Sequence, residues 1–283
     1  MTSTLSQRIQ TFYDTSSGLW EQIWGEHMHH GYYGADGKRR GERRQAQIDL
    51  IEELLAWAKP GAVTDLLDVG CGIGGSSLYL AQKFNAKATG ITLSPVQANR
   101  AIARAQEANL SGQAQFQVAD ALDMPFADNA FDLVWSLESG EHMPDKRQFL
   151  QECFRVLKPG GTLILVTWCH RPLTSPQDAL TPQEQSLLNK IYSVYHLPYI
   201  ISLPDYADIA QSLNFQHIQT ADWSDAVAPF WDEVIASALN PATAFKILSA
   251  GWMTLQGAFA LGLMSQGYRQ GLVRYGLLSA TKS

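Results

Sequence analysis

The run Leu66-Leu67-Asp68-Val69-Gly70-Cys71-Gly72-Ile73-Gly74-Gly75-Ser76-Ser77 constrains this chain more than any other. A buried apolar strand that passes through a glycine-rich turn into a helix belongs in a sheet with helices packed on its faces. Glycines in the turn admit positive φ and let a ligand approach the backbone, and the free N–H groups opening the next helix form an anion site. As a bare pattern, Gly70-x-Gly72-x-x-Gly75 also satisfies the dinucleotide fingerprint.

The rest of the chain repeats this rhythm. From 63 to 168 short β-rich runs alternate with helical ones, the pattern of a parallel sheet covered by helices. Strands are predicted at 64–69, 87–93, 115–119, 131–136 and 162–168, with helices at 75–84, 95–108 and 146–157. Lys158-Pro159-Gly160-Gly161 ends the last helix and reopens the chain into a strand. The polar stretch 171–185 then breaks the rhythm, and a helical run at 184–195 leads to 197–204, an insertion over one face. A helix at 205–213 and a sixth strand at 215–223 follow, and 271–281 is a β-like run able to close the sheet. Between them 230–268 is too long for a hairpin and mostly helical in pattern, a second elaboration.

With 46% apolar and 17% charged residues, the 283-residue chain has ample material for a core, and one α/β domain with insertions accommodates its length. Its 21 Lys+Arg against 27 Asp+Glu are the opposite of a basic nucleic-acid footprint, so nucleic acid is not an expected partner. Cys71, Cys153 and Cys169 form no CxxC, which excludes a disulfide framework and points to a reducing compartment, by default the cytoplasm. Residues 1–14 hold no apolar run of signal-peptide length and lack the Arg-rich, acid-free character of a transit peptide. The least polar stretch, 247–264, carries no charge, but Ser249, Thr254 and Gln256 interrupt it; a buried or membrane-surface helix is expected rather than a span.

Acid placement separates the ligands that the glycine turn could hold. A nicotinamide site needs Asp or Glu at the end of the second strand, and here that strand ends Gly90-Ile91-Thr92-Leu93-Ser94. Acid stands instead at Asp68, just before the glycines, where it could meet an amino group, and at Asp120, closing the third strand. A ligand with an ammonium, a carboxylate, a ribose and an adenine fits this arrangement. The segment 6–33 also packs Phe12, Tyr13, Trp20, Trp24, Tyr32 and Tyr33 together with His27, His29 and His30, a density that needs a reason.

The ordered series DVGCGIGG, VADALDMPF, FDLVWSLESGEHM and RVLKPGGTLIL is similar to class I S-adenosylmethionine-dependent methyltransferases. Within it, 11–33, GITLSPVQ at 90–97, WSLESGEHMP at 135–144, TWCHRPL at 167–173 and LPYIISLPDY at 197–206 resemble γ-tocopherol methyltransferases of the cyanobacterial and plant type. That likeness covers nearly the whole chain, including ADWSDAVAPFWD at 221–232 and GLVRYGLL at 271–278.

The resemblance implies an α/β fold with a Rossmann-like, seven-stranded, mostly parallel sheet, helices on both faces and a helical substrate cap. One domain would span 1–283, with 1–60 a helical lid, 61–170 the cofactor-binding core and 171–283 the remaining sheet, with cap insertions at about 171–204 and 225–270. It implies S-adenosylmethionine as cofactor and transfer of its methyl to a chromanol ring carbon of γ- or δ-tocopherol, yielding α- or β-tocopherol in vitamin E synthesis.

Carried over position by position, Asp68, Gly70 and Gly72, with Cys71 in the same turn, would hold the methionine end of the cofactor. Thr92, Leu93 and Gln97 would flank ribose and adenine in a TLSxxQ segment that replaces the usual ribose acid. Asp120 and Ala121 would meet the adenine edge, and Ser136 and Leu137 would lie beneath the methionyl chain. Glu138 and His142 rank first as bases for the acceptor phenol, ahead of His27, His29 and His30. Tyr13, Trp24, His30, Tyr32 and Tyr33 would form the lid. Phe230, Trp231, Phe245, Trp252 and Phe259 would suit an isoprenoid tail, with the cap making peripheral contact with a bilayer surface.

No Cys or carboxylate completes a spaced ligand set with the histidines, so no metal is expected, and no obligate protein partner is implied. Three alternatives stay open at this stage. The acceptor could be a nitrogen on an indole alkaloid or another small amine, or the chemistry could be of sterol type, or the chain could bind its cofactor without turnover.

Overall fold

The apolar run before the glycine turn becomes β1 (Asp65–Val69), buried from Leu66 onward. The computed structural model describes residues 5–239 and 262–283. Beside β1 lie β2 (Lys87–Thr92), β3 (Ala114–Val118), β4 (Phe131–Leu137), β5 (Leu157–His170), β6 (Phe215–Asp222) and β7 (Val273–Lys282). The sheet order is β3-β2-β1-β4-β5-β7-β6. Strands β1 to β5 pair in parallel, while β7 runs antiparallel to both β5 and β6. The expected Rossmann-like sheet is therefore present, and its last strand enters between two others instead of extending an edge.

Alternation along the strands feeds two cores. Leu66, Leu133, Trp135, Ile164, Val166, Tyr275 and Leu277 face one side, and Leu67, Val69, Val134, Leu163, Leu165 and Leu278 face the other. Each full burial of such a side chain contributes about 1.5–3 kcal/mol. On the first face pack α2 (Arg43–Ala58), through Leu50, Ile51 and Leu54, and α3 (Gly75–Phe84). On the second pack α5 (Lys146–Val156), through Phe149, Leu150 and Cys153, and α7 (Leu203–Ser212), through Tyr206 and Ala210.

Local chemistry starts these helices where the chain needs them. Ser94 caps α4 (Pro95–Glu107) by accepting from the Gln97 N–H, with Pro95 in the first turn, and Asp145 caps α5 in the same way. Thr181 and Glu184 form a capping box that starts α6 (Pro182–Tyr195) slightly before the predicted 184. Lys158-Pro159-Gly160-Gly161 does end a helix, but the strand resumes at once. Phe131 pairs with Leu157 and Leu133 with Thr162, and the residues between are carried as an irregularity with Gly160 at φ 78°.

The N-terminal region, expected from the resemblance to be a lid, begins with α1 (Leu5–Trp24), ahead of α2. The second elaboration contains α8 (Ser224–Val227), α9 (Pro229–Leu239) and a helical stretch at 262–269. Phe245, Trp252, Phe259 and most of 247–264 lie outside the described residues. No helix among the described residues is long and apolar enough to cross a membrane.

Candidate active site

Strand order reverses between β1 and β4, and the crevice at the carboxyl ends of such strands is where this architecture binds ligands. The turn after β1 is pinned there. The Gly70 and Cys71 N–H groups both donate to the Ile91 carbonyl, and Gly74 N–H donates to the Cys71 carbonyl. Gly70, Gly72 and Gly74 all hold positive φ. A Cβ on Gly70 would stand 2.3 Å from that of Ser139, whereas one on Gly72 would meet nothing nearer than Met28 Sδ at 3.9 Å. The turn is thus closed against the protein at Gly70 and leaves an open cradle at Gly72.

One cavity extends from this cradle to the aromatic residues of the cap. Asp68, Gly70, Cys71 and Gly72 line its glycine end, with Thr92, Leu93, Gln97, Asp120 and Ala121 along the second and third strand ends. Asp68 is buried, and its carboxylate accepts from Ser77 Oγ at 2.6 Å. Burial pushes its acid up to about 7 despite the Ser77 bonds. Thr92 Oγ1 donates to Gln97 Oε1 at 2.8 Å, and Gln97 Nε2 donates to Ser17 Oγ at 3.1 Å, tying this wall to α1. Asp120 is exposed and accepts from the Leu122 N–H.

At the far end, Leu137, Glu138, Glu141 and His142 follow β4 into the cavity wall. Glu138 holds φ 56°, an uncommon conformation for a residue with a side chain and one that clusters at functional sites. Its Oε1 accepts from the His30 N–H and from Tyr275 Oη, both at 2.7 Å, and its Oε2 lies 2.8 Å from His30 Nδ1. Burial alone would raise this acid, but His30 and the donated hydrogen bonds outweigh it and hold the group below the usual carboxylate range. Glu141, whose Oε2 accepts from Thr167 Oγ1, is pushed up to about 7 by burial and by the charge of Glu138. His142 Nε2 lies 2.8 Å from Tyr13 Oη of α1. Burial, then the charges of Lys146 and His196, lower the His142 imidazole to about 3.

Around the His30 ring stand Phe230, Trp231 and Tyr275 with centroids at 4.6, 5.0 and 5.1 Å, and Tyr268 and Trp168 slightly farther out. Buried polar atoms without a hydrogen-bond partner among the described residues gather here: His30 Nε2, His142 Nδ1, Trp168 Nε1, Trp231 Nε1, Tyr195 Oη and Tyr268 Oη. Such atoms are rare in a folded chain unless a bound molecule completes them.

Some predicted positions fall elsewhere. Ser136 is fully buried and shares a 2.7 Å hydrogen bond with Ser139 Oγ, which donates to the Val69 carbonyl; Ser139, not Ser136, reaches the cavity. Tyr33 is core, its hydroxyl donating to Glu233, and Tyr32 packs on Trp223, so neither closes over the cavity. Tyr13 and His30 do line it, and the Trp24 side chain lies outside the described residues. Met28, Ser139, Glu141, Trp168 and Tyr195 are wall residues that sequence reasoning did not single out. Among the described residues no cluster of His, Cys, Asp and Glu is arranged to hold a metal.

Residues 67–165 match the family model described as a methyltransferase domain. The chain is 52% identical to the rice (Oryza sativa subsp. japonica) protein named probable tocopherol O-methyltransferase, chloroplastic, over 98% of this chain and 78% of that one. It is 34% identical to ajmaline N-methyltransferase of Rauvolfia serpentina, over 98% of each. Among solved structures it resembles the [4+2]-cyclase SpnF, with a TM-score of 0.80 and 26% identity over 98% of this chain and 96% of that one.

Proposed function

We infer the reaction from the family: this chain belongs to the class I S-adenosylmethionine-dependent methyltransferases, within the tocopherol methyltransferase family, and it methylates tocopherol in vitamin E synthesis. The acceptor we propose is the free chromanol ring carbon beside the hydroxyl of γ- or δ-tocopherol. The observation that carries this reading is the single cavity, walled by a glycine turn at one end and by an aromatic chamber at the other. The identity gap between the tocopherol and alkaloid relatives, 52% against 34%, favours the chromanol over an amine.

Bound S-adenosylmethionine supplies an electrophilic methyl group on a sulfonium. The open space beside Gly72 admits its methionyl chain, and buried Asp68 is the partner for the ammonium group. Thr92, Leu93 and Gln97 flank ribose and adenine, and Asp120 with Ala121 meets the adenine edge. Leu137 lies under the methionyl chain with Ser139, which takes the place expected of Ser136. Glu138, His142 and His30 stand at the acceptor end. Alignment and exclusion of water supply most of the rate in such a transfer, and one positioned base adds about 10²–10⁴. The apolar wall from Trp168 to Trp231 receives the ring and the start of the isoprenoid tail. Such an acceptor lives in lipid, so we place the protein in the cytoplasm with its cap at a membrane surface.

The deciding assay supplies methyl-labelled S-adenosylmethionine with γ-tocopherol and a panel of indoles and amines, and locates the label by mass spectrometry. Label in a ring methyl with the phenol still free is expected. Label on the phenol oxygen, where the rice relative's printed name puts it, would overturn the carbon acceptor, and label on nitrogen alone would overturn the tocopherol.

The lid carries its own expectation. Tyr13→Phe removes the bond to His142, a net contribution of about 1 kcal/mol. Stopped-flow fluorescence should then show cofactor leaving several-fold faster from a protein of nearly unchanged stability. An unaltered release rate would take Tyr13 out of the closure.

A further inference from the structure

We propose that His30 is the base of this reaction, taking the acceptor's hydroxyl proton on Nε2, and that Glu138 and Tyr275 are the residues that position it. The proposal rests on the chromanol reading above. Nδ1 of His30 faces Glu138 Oε2 at 2.8 Å, and the carboxylate is held ionised by the His30 N–H and Tyr275 Oη on its other oxygen. A carboxylate only accepts, so Nδ1 carries a ring proton, and the neutral form of the ring, the one that can act as base, presents its lone pair at Nε2. That Nε2 is buried, has no partner among the described residues, and belongs to a side chain on the cavity wall, inside the cage of Phe230, Trp231, Tyr275, Tyr268 and Trp168.

The other candidates are engaged. Both oxygens of Glu138 are occupied by three donors. His142 also has one nitrogen, Nδ1, without a partner among the described residues, but its other nitrogen meets Tyr13 Oη where the ring of His30 meets a carboxylate, and burial with the charges of Lys146 and His196 disfavours its protonated form. Glu141 is bonded to Thr167.

In the step assigned to His30 the acceptor's O–H bond breaks, its proton goes to Nε2, and the electron pair stays on oxygen, from which the ring carbon beside it gains nucleophilicity. That carbon bonds to the methyl group as the methyl–sulfur bond breaks, its electron pair staying on sulfur and neutralising the sulfonium, and the carbon then gives up its hydrogen as a proton to water. His30 returns its own proton to the oxygen, so one proton is released overall. An oxygen held at Nε2 is also kept from attacking, which directs the methyl to carbon.

His30→Asn keeps an amide able to donate to Glu138 and removes Nε2. Its kcat should fall by about 10²–10⁴, with the acceptor KM and the cofactor Kd within about threefold of the parent. The ratio of parent to variant rates should shrink for a chromanol whose phenol is made more acidic by an electron-withdrawing substituent, since less proton transfer is then required. Glu138→Gln keeps the shape but must donate to Nδ1, which moves the ring proton onto Nε2. The same tautomer error costs about 10⁴ in the serine-protease triad, and a large kcat loss with an intact cofactor Kd is expected here.

A His30→Asn protein with kcat near the parent's, or one whose penalty ignores phenol acidity, would overturn the assignment; if that variant does not fold, near-parental kcat in Glu138→Gln would do so. Parent protein that methylates amines and leaves chromanols untouched would overturn the chromanol reading and this proposal together, whereas an active parent with an unharmed variant overturns the base alone.

Discussion

Replacing Gly70 with alanine is expected to abolish measurable binding of S-adenosylmethionine and to destabilise the protein by about 2–4 kcal/mol. Two costs act together. Gly70 sits at φ 82°, where a side chain is strained, and its new Cβ would lie 2.3 Å from Ser139 Cβ and 2.6 Å from Ser139 Oγ. Ser139 cannot simply swing aside, because its hydroxyl donates to the Val69 carbonyl and shares a hydrogen bond with Ser136. Moving it breaks two buried bonds and shifts the end of β1 against β4.

Gly72→Ala is the control. Its φ of 53° also strains an alanine, by about 1–2 kcal/mol, but its Cβ would point into open space. That variant should fold, melt somewhat lower, and still bind cofactor poorly, because the methyl fills the cradle. Thermal unfolding and calorimetric titration of both variants distinguish the two effects. Equal melting temperatures for the pair would contradict the contact with Ser139, and parental cofactor affinity in Gly72→Ala would contradict the cradle.

What could be read from sequence depended on the range of the signal. The strand, turn and helix around Gly70 are local, and so are the starts of the helices at 95 and 146, and all of them lie where the pattern puts them. Asp68 and Gly72 come to line one crevice for the same local reason, since the strand end and the turn are adjacent in sequence. Insertion of β7 between β5 and β6 leaves no mark in β7 itself, whose apolar run would suit an edge or an interior position alike.

The aromatic density of 6–33 was equally ambiguous. Tyr13 faces the cavity while Tyr33 enters the core, and nothing short of the packed structure separates the two. Ser136 and Ser139 differ for a plainer reason: strand alternation turns Ser136 into the interior, and the chain must leave β4 before a serine can reach the ligand. The bond between His30 and Glu138 joins residues 108 positions apart, so no local spacing could announce it.

Asp68→Asn is expected to pull binding and stability in opposite directions. In the folded chain without ligand the Asp68 acid is raised to about 7 from an ordinary 3.8, chiefly by burial. Between those two values the folded state holds a proton that the unfolded state has released. The contribution of Asp68 to stability therefore falls as pH rises through this window, by up to about 1.4 kcal/mol per unit, and that contribution is gone above the folded value. Glu141 titrates near 7 in the same sense, while Asp132 and Glu184, lowered to about 2, act in the opposite sense at lower pH. Over the same range the lowered imidazoles of His27, His29 and His142 act upward, since the unfolded chain binds protons there that the folded chain does not. Asparagine keeps the acceptor for Ser77 without the buried charge, so stability of the variant should climb more steeply than the parent's between pH 5 and 7, by up to about 1.4 kcal/mol per unit.

Binding should change the other way. An ammonium group needs the ionised carboxylate, so the parent's cofactor affinity should rise toward pH 7 as the Asp68 proton is displaced, then level off. In Asp68→Asn that rise should flatten, and at pH 8 the Kd should be higher by about 30- to 1,000-fold, the usual cost of removing one member of a buried charge pair. Glu138→Ala, at the acceptor end, should leave the same Kd within a few-fold. Titrations of the three proteins at pH 5.5 and pH 8 check the assignment: equal losses at Asp68 and Glu138, or a parental pH dependence in Asp68→Asn, would mean that the ammonium is held elsewhere.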